Sequence, residues 1–176
     1  STSSNPLFEE TPPTITPLSP LANALLIPVE SDIVFRVTDN LTGVATSSVV
    51  VTINGELAML DGIGQSPTFS AYTITATTNG YVVSINPYAY SLPANSYVTI
   101  DVQVLDAVDN TATLSYAFQT ASENVHNISK TPNWKYTFLI PAISEATNSD
   151  ILELETNTFN ENSEIVLTKS LTIRGA

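Results

Sequence analysis

Cysteine is absent from the 176 residues, so the chain has no disulfide framework, no thiolate nucleophile and no Cys-based zinc site. Basic residues are nearly as scarce: five Lys and Arg face seventeen Asp and Glu, for a net charge of −12. Phosphate backbones and anionic lipid surfaces are bound by clustered Lys and Arg, which this chain does not have. Nucleic acid and anionic membranes are therefore excluded as expected partners. No run of 18 apolar residues appears, so no stretch reads as a membrane-spanning helix. Nor does any Gly-rich phosphate loop or nucleophile elbow. There is one His and one Trp.

What is abundant is β-forming sequence. Hydrophobic residues make up 43% of the chain, enough for a folded core. Residues 1–12 (STSSNPLFEETP) are rich in Ser, Pro and Glu and read as a linker. Thr14-Ile15-Thr16 is expected to be extended, because neighbouring prolines push the chain toward β or polyproline geometry. The apolar end of PLSPLANALLIP (residues 17–28) is placed to cover a sheet edge. From Ile33 onward, strict alternation marks a series of strands. Ile33, Phe35 and Val37 form one apolar face, Val49, Val51 and Ile53 the next. Tyr72, Ile74 and Ala76 precede Val83 and Ile85; Val98, Ile100, Val102 and Val104 then lead to Leu114, Tyr116 and Phe118. Asn54-Gly55 and Asn79-Gly80 are hairpin turn signals. Six or seven strands at this spacing predict an all-β sandwich over residues 13–120.

The same residues resemble a known family. Asp32-Ile-Val-Phe-Arg-Val-Thr-Asp39, Gly43-Val44, Ser47 to Gly55, Val98 to Asp106, Asp109-Asn110 and Tyr116-Ala-Phe118 are similar to bacterial and phage Ig-like domains. Ala107-Val108-Asp109 departs from the Gly that normally precedes Asn110, and no Cys-Trp-Cys core is present.

Residues 121–136 are polar and turn-rich and read as a junction, with Trp134 and Tyr136 closing it. Pro141 to Thr147 reads as a short amphipathic helix with Pro in its first turn. Short apolar runs follow at Ile151–Leu154, Ile165–Leu167 and Leu171–Ile173, each expected as a strand. With Thr158-Phe159-Asn160-Glu161 and Lys169-Ser-Leu-Thr-Ile-Arg-Gly175, residues 137–176 resemble the opening of a right-handed parallel β-helix of pectate-lyase-like type. The resemblance implies a capping helix and a first rung. One rung cannot bury its own apolar face, so it further implies that this is one piece of a larger modular protein.

Candidate chemistry is sparse. Asp39, Asp106, Asp109 and Asn110 offer the oxygens that Ca²⁺ takes, but their spacing fits no EF-hand. Asp and Asn equally occupy turns by bonding the local backbone, and the spacing favours that reading. His126 lacks a nearby nucleophile or metal partner and is expected to be solvated. Asp150, Glu153, Glu155, Glu161 and Glu164 raise the question of a glycosidase pair. Glu153 and Glu155 share one strand face about 7 Å apart, a spacing that a charged outer face gives routinely. The resemblance places catalytic groups of β-helix enzymes on later rungs, so none is carried over here. Tyr88, Tyr90 and Trp134 are candidates for stacking on a sugar, or for capping the sandwich. Two glycosylation sequons, at Asn40 and Asn127, fit chance in so Asn- and Thr-rich a chain.

The expected function is structural: a spacer and adhesion module of an extracellular, cell-surface or virion-surface protein such as a tail fibre or tailspike, without a cofactor and not itself an enzyme. Its partners would be copies of itself, neighbouring structural proteins or a surface polysaccharide. The alternatives are the accessory region of a β-helix polysaccharide lyase or hydrolase, and a filament subunit that assembles by strand addition.

Overall fold

A computed structural model of the chain describes residues 10–65, 69, 71–87, 92–155, 159–161 and 163–176. Nine strands build a sandwich of two antiparallel sheets. In chain order they are β1 (Thr14–Ser19), β2 (Ile33–Thr38), β3 (Val50–Ile53), β4 (Glu56–Leu60), β5 (Ile63–Gly64), β6 (Ala71–Thr77), β7 (Gly80–Asn86), β8 (Tyr97–Leu105) and β9 (Thr111–Gln119). One sheet has the order β1-β2-β7-β6 and the other β5-β4-β3-β8-β9. The count exceeds the expected six or seven because β4 and β5 have mixed burial rather than alternation; the pairing of β4 with β3 and of β5 with β4 reveals them.

Alternation becomes packing directly. Ile33, Phe35, Val37, Val83 and Ile85 from one sheet meet Val51, Ile100, Val102, Val104 and Phe118 from the other in a single core. Asn54-Gly55 turns β3 into β4, both residues at positive φ, which Asn and Gly tolerate at least cost. Gly80 is required for another reason: a Cβ there would collide with the Val37 carbonyl on the facing strand.

Residues 17–28 do cover an edge, as expected. Asn23 and Ile27 donate N–H bonds to the Ala117 and Gln119 carbonyls at 2.7 and 3.0 Å. Ala24 and Ile27 in turn accept from Gln119 and Ala121. The free side of β9 is thereby occupied, which keeps it from pairing with foreign strands.

The segment 121–136 is more than a junction. It contributes β10 (Val125–Asn127) and β11 (Trp134–Tyr136), which join β12 (Ile151–Leu154) and β13 (Thr172–Gly175) in a second sheet of order β11-β10-β12-β13. Its strands are three residues long, too short to carry a period, and β10 gains a second partner only in β12, some 25 residues on, so local polarity concealed them. The expected strand at Ile165–Leu167 does not form. These residues are exposed, with no strand beside them among the described residues. The pair β12–β13 is parallel, with Ile151 opposite Thr172 and Leu152 opposite Ile173. No solenoid is built on it among the described residues.

Helix α1 (Leu139–Glu145) starts two residues before the expected Pro141, which still sits in the first turn, where a missing N–H is harmless. Its first residue is Leu139, whose N–H donates to Glu161 Oε1 at 2.6 Å. At the other end Lys169 Nζ donates to the carbonyls of Ile143 (3.1 Å) and Ser144. A carboxylate at the N-terminus and an ammonium at the C-terminus both suit the helix dipole. A seven-residue helix cannot stand alone; the 161–169 segment straps it down over Val125, Tyr136 and Leu152. Glu161→Ala is expected to destabilise the second unit by about 1 kcal/mol. Glu161→Gln, which keeps an acceptor, should recover most of that loss. Trp134 fluorescence during urea unfolding reads both, since the single Trp lies in this unit.

Candidate functional site

Three places gather polar side chains: the loop end of the sandwich, the seam between the two units, and the outer face of the second sheet.

At the loop end, Asp39 and Asp106 are buried and close to one another. Asp39 Oδ1 accepts from the N–H groups of Leu41, Thr42 and Gly43 at 2.8–3.0 Å. Asp106 Oδ1 accepts from Val108 and Asn110 N–H, and its Oδ2 from Thr42 Oγ1 and the Asn110 amide. Thr42 thus ties the two aspartates together. Asp109, exposed and at positive φ, is in the turn itself. This is the turn chemistry that competes with metal binding, because oxygens that already accept several bonds from the loop have less to offer a cation. Titration with Ca²⁺ is expected to leave the melting temperature unchanged; a rise would make these oxygens ligands instead.

At the seam, Glu30 holds the second unit by accepting from Thr137 N–H at 2.9 Å and Phe138 N–H at 3.3 Å. Buried Val29 donates to Thr137 Oγ1 at 3.1 Å. The two units are therefore joined twice, by the chain near 121–124 and by this clasp, which restricts hinging. Beside it, Tyr136 Oη donates to Glu145 at 3.0 Å. Burial raises the Glu145 carboxyl above its ordinary range; the Tyr136 hydroxyl opposes this, while the charges of Glu30 and Asp32 reinforce it. A carboxyl raised in the folded state favours folding at low pH, and that contribution is lost as pH rises through the folded value. Glu145→Gln is thus expected to raise stability at pH 7 and to flatten the dependence above pH ~4.3, measured by urea midpoints across pH. The Tyr136 bond survives in this variant because the amide oxygen still accepts.

On the second sheet, the sole histidine is not solvated as expected. His126 lies on β10, its side chain 17% exposed, between Glu123 (3.5 Å) and Glu155 (3.3 Å). Polar sequence suggested a loop, whereas pairing with Glu153 and Lys135 makes it a strand residue. Glu153 is engaged by Arg174 at 2.7 Å and Glu123 by Lys135 at 2.9 Å. Of the carboxylates considered for glycosidase chemistry, Glu153 is thus ion-paired with Arg174, Glu155 lies beside His126 and Glu161 holds the helix. Trp134 is half-buried under Lys130, whose Nζ lies 5.2 Å from the ring centroid. Tyr88 and Tyr90 lie outside the described residues. Asn127 is fully buried, so its sequon is closed in the folded chain, whereas Asn40 is exposed.

Sequence reasoning passed over the role of Asp150. Its carboxylate is 5% exposed and accepts from Asn127 Nδ2 (2.8 Å), Thr147 N–H (2.9 Å) and Thr147 Oγ1 (3.0 Å), and pairs with Lys130 Nζ (3.0 Å). Burial alone would raise it, but these donors hold it well below the usual carboxylate range. An acid immediately before a strand was the available signal.

What remains open is the edge of β13. All four of its residues are exposed, and β12 is its only neighbour among the described residues. Beside the helix, a cavity of about 290 Å³ opens between α1 and the strap, lined by Ile140, Ile143, Ile165, Val166 and Lys169 among others. Ile165, Val166, Leu167 and Ile173 are all exposed around this end.

No protein-family model matches the chain, and no curated protein matches it. Among solved structures it is similar to CopC from Methylosinus trichosporium OB3b, at a TM-score of 0.41 and 15% identity, over 62% of this chain and 95% of that one. It is also similar to a point mutant of the SrpA adhesin from Streptococcus sanguinis, at a TM-score of 0.38 and 16% identity. That match covers 65% of this chain and spans 58% of the adhesin chain. The sandwich assignment rests on the chain's own strand pairing, and no helix among the described residues is long and apolar enough to cross a membrane.

Proposed function

We propose that this chain is a structural and adhesion module of an extracellular, cell-surface or virion-surface protein. In this reading an Ig-like sandwich is locked to the opening of a stack of parallel strands. The observation that carries it is the β12–β13 pair: parallel, 21 positions apart in sequence, strapped under a helix on one side and open on the other. A 21-residue return to the same direction is the spacing of a stacked rung. The clasp at Glu30 supports a spacer role, because two connections transmit load without a free hinge.

In this reading the stretch performs no catalysis itself. Its paired second-sheet carboxylates are engaged in holding neighbouring strands and the helix, and no cofactor is required. Two experiments test the proposal. Antibodies to the chain should label intact cells or virions of its source without permeabilisation. Incubation with a panel of bacterial surface polysaccharides should release no new reducing or unsaturated ends. Release of such ends, abolished by Glu153→Gln or Glu155→Gln, would overturn the structural reading in favour of the lyase or hydrolase alternative.

A further inference from the structure

The sandwich has four edge strands, and three of them are protected against pairing with other chains. Strand β1 carries Pro17, and its pairing with β2 slips between Pro17 and Ser19. Strand β5 is two residues long. Residues 17–28 occupy the free side of β9. Proline, a slipped register, shortness and cover are the means by which sheets blunt their edges. The fourth edge strand, β6, has none of them.

Strand β6 is seven residues long, Ala71-Tyr-Thr-Ile-Thr-Ala-Thr77, without proline, glycine or charge. Its register with β7 is regular from Ala71–Asn86 to Thr77–Gly80, and β7 is its only strand neighbour among the described residues. Tyr, Thr and Ile favour strands, so this edge is long, regular and well formed. Strand β7 is uncharged as well. In a chain of net charge −12, the flank is thus a strip two strands wide that presents no like charge to a second copy. On the adjoining edge of the other sheet, Leu60 pairs with Ile63, and the two are 41% and 59% exposed. A Cβ on Gly64 would collide with the Tyr72 ring, so this apolar pair lies beside β6.

The residue order of β6 suits its own antiparallel copy. With Ile74 opposite Ile74, Thr73 falls opposite Thr75 and Tyr72 opposite Ala76. Tyr72 and Ile74 pack on the core, whereas Thr73 and Thr75 are exposed. Directly opposed residues share a face of the sheet, so apolar side chains meet on the core side and hydroxyls meet outside. Both kinds of pair are favourable, and no like charges oppose one another. A register one residue away would turn the core face of one copy onto the solvent face of the other.

We propose that β6 is a homodimer interface, in which β6 of one copy pairs antiparallel with β6 of a second, centred on Ile74. The order β1-β2-β7-β6 of one copy then runs on through β6-β7-β2-β1 of the other as one continuous sheet. The same strand serves both copies, so the contact is isologous and closes at two. This goes beyond the adhesion reading: it sets two modules side by side.

Sedimentation velocity on the 176-residue chain from micromolar to several hundred micromolar is the test. A weight-average mass that climbs to twice that of the chain and stops there is expected. Thr73→Lys combined with Thr75→Lys sets ammonium groups opposite one another at two contacts and should raise the dimer Kd at least tenfold. Both positions are exposed, so the far-UV circular dichroism should stay as in the wild type. Thr73→Lys combined with Thr75→Glu sets opposite charges at the same two contacts and should restore the dimer. A chain that stays monomeric throughout, a mass that climbs past two, a dimer unmoved by the double lysine variant, or no recovery with the charge-swapped one would each overturn the proposal. None of these outcomes alters the surface labelling or the polysaccharide result, so the adhesion reading stands or falls separately.

Discussion

Replacing Asp150 with alanine is expected to destabilise the second unit by about 3–5 kcal/mol. The carboxylate receives Asn127, both polar groups of Thr147 and Lys130 at one point. Removing it strands the Asn127 amide, fully buried at the centre of the sheet, and leaves the ammonium of Lys130 without its ion-pair partner. Asp150→Asn should cost less, about 2 kcal/mol, because a shape match remains while the charge is gone. Trp134 fluorescence gives the transition directly. The pH dependence follows from the lowered carboxyl. A group whose folded value is depressed contributes stability that is complete above its unfolded value, near 3.9, and is lost as pH falls through the folded one. The wild-type second unit should therefore lose this contribution only below pH ~4. Asp150→Asn should show no loss from this site over the same range. A variant as stable as wild type at pH 7 would remove Asp150 from its central role.

Phe35→Ala is expected to cost the sandwich about 3–5 kcal/mol. Phe35 is fully buried on β2, which runs between β1 and β7 in the middle of its sheet, and it faces the opposite sheet across the core. Its direct partner on β7, Val83, is β-branched and held in the ladder, which limits collapse into the gap. Far-UV circular dichroism, dominated by the nine sandwich strands, reports this transition, and Trp134 reports the other unit. With the Glu30 clasp intact, the two probes should move together under Phe35→Ala. With Glu30→Ala added, they should separate. Coincident transitions in the double variant would show that the linker alone couples the units.

The sandwich was legible from sequence because its information is local. A side-chain period of two, applied to Ile33–Val37 and Val98–Val104, fixes both the strand and its buried face. Asn54-Gly55 fixes a turn for the same reason. The strands β10 and β11 were not legible. With three residues each, they carry no period, and polar neighbours such as His126 and Asn127 read as loop. They become strands because they pair with each other, β12, far along the chain, supplies β10 with a second backbone partner, and Asp150 satisfies the buried Asn127 amide. The reverse error occurred at Ile165–Leu167, an apolar run that is exposed and pairs with no strand among the described residues. Of the expected β-helix opening, a short helix and two strands that pair in parallel, β12 and β13, are present, but no solenoid is shown among the described residues.

By itself, then, the sequence determined the composition-level exclusions, the all-β class and the inward faces of the sandwich, since each depends on residue type and spacing within a few positions. Only the tertiary structure decided which carboxylates are engaged. Glu161 meets a helix 22 residues away, Glu30 meets Thr137 across 107 residues, and Asp150 meets Asn127 across 23. Whether an acid is a ligand, a base or a clasp depends on which donors reach its oxygens. Those donors come from chain segments that only folding brings together.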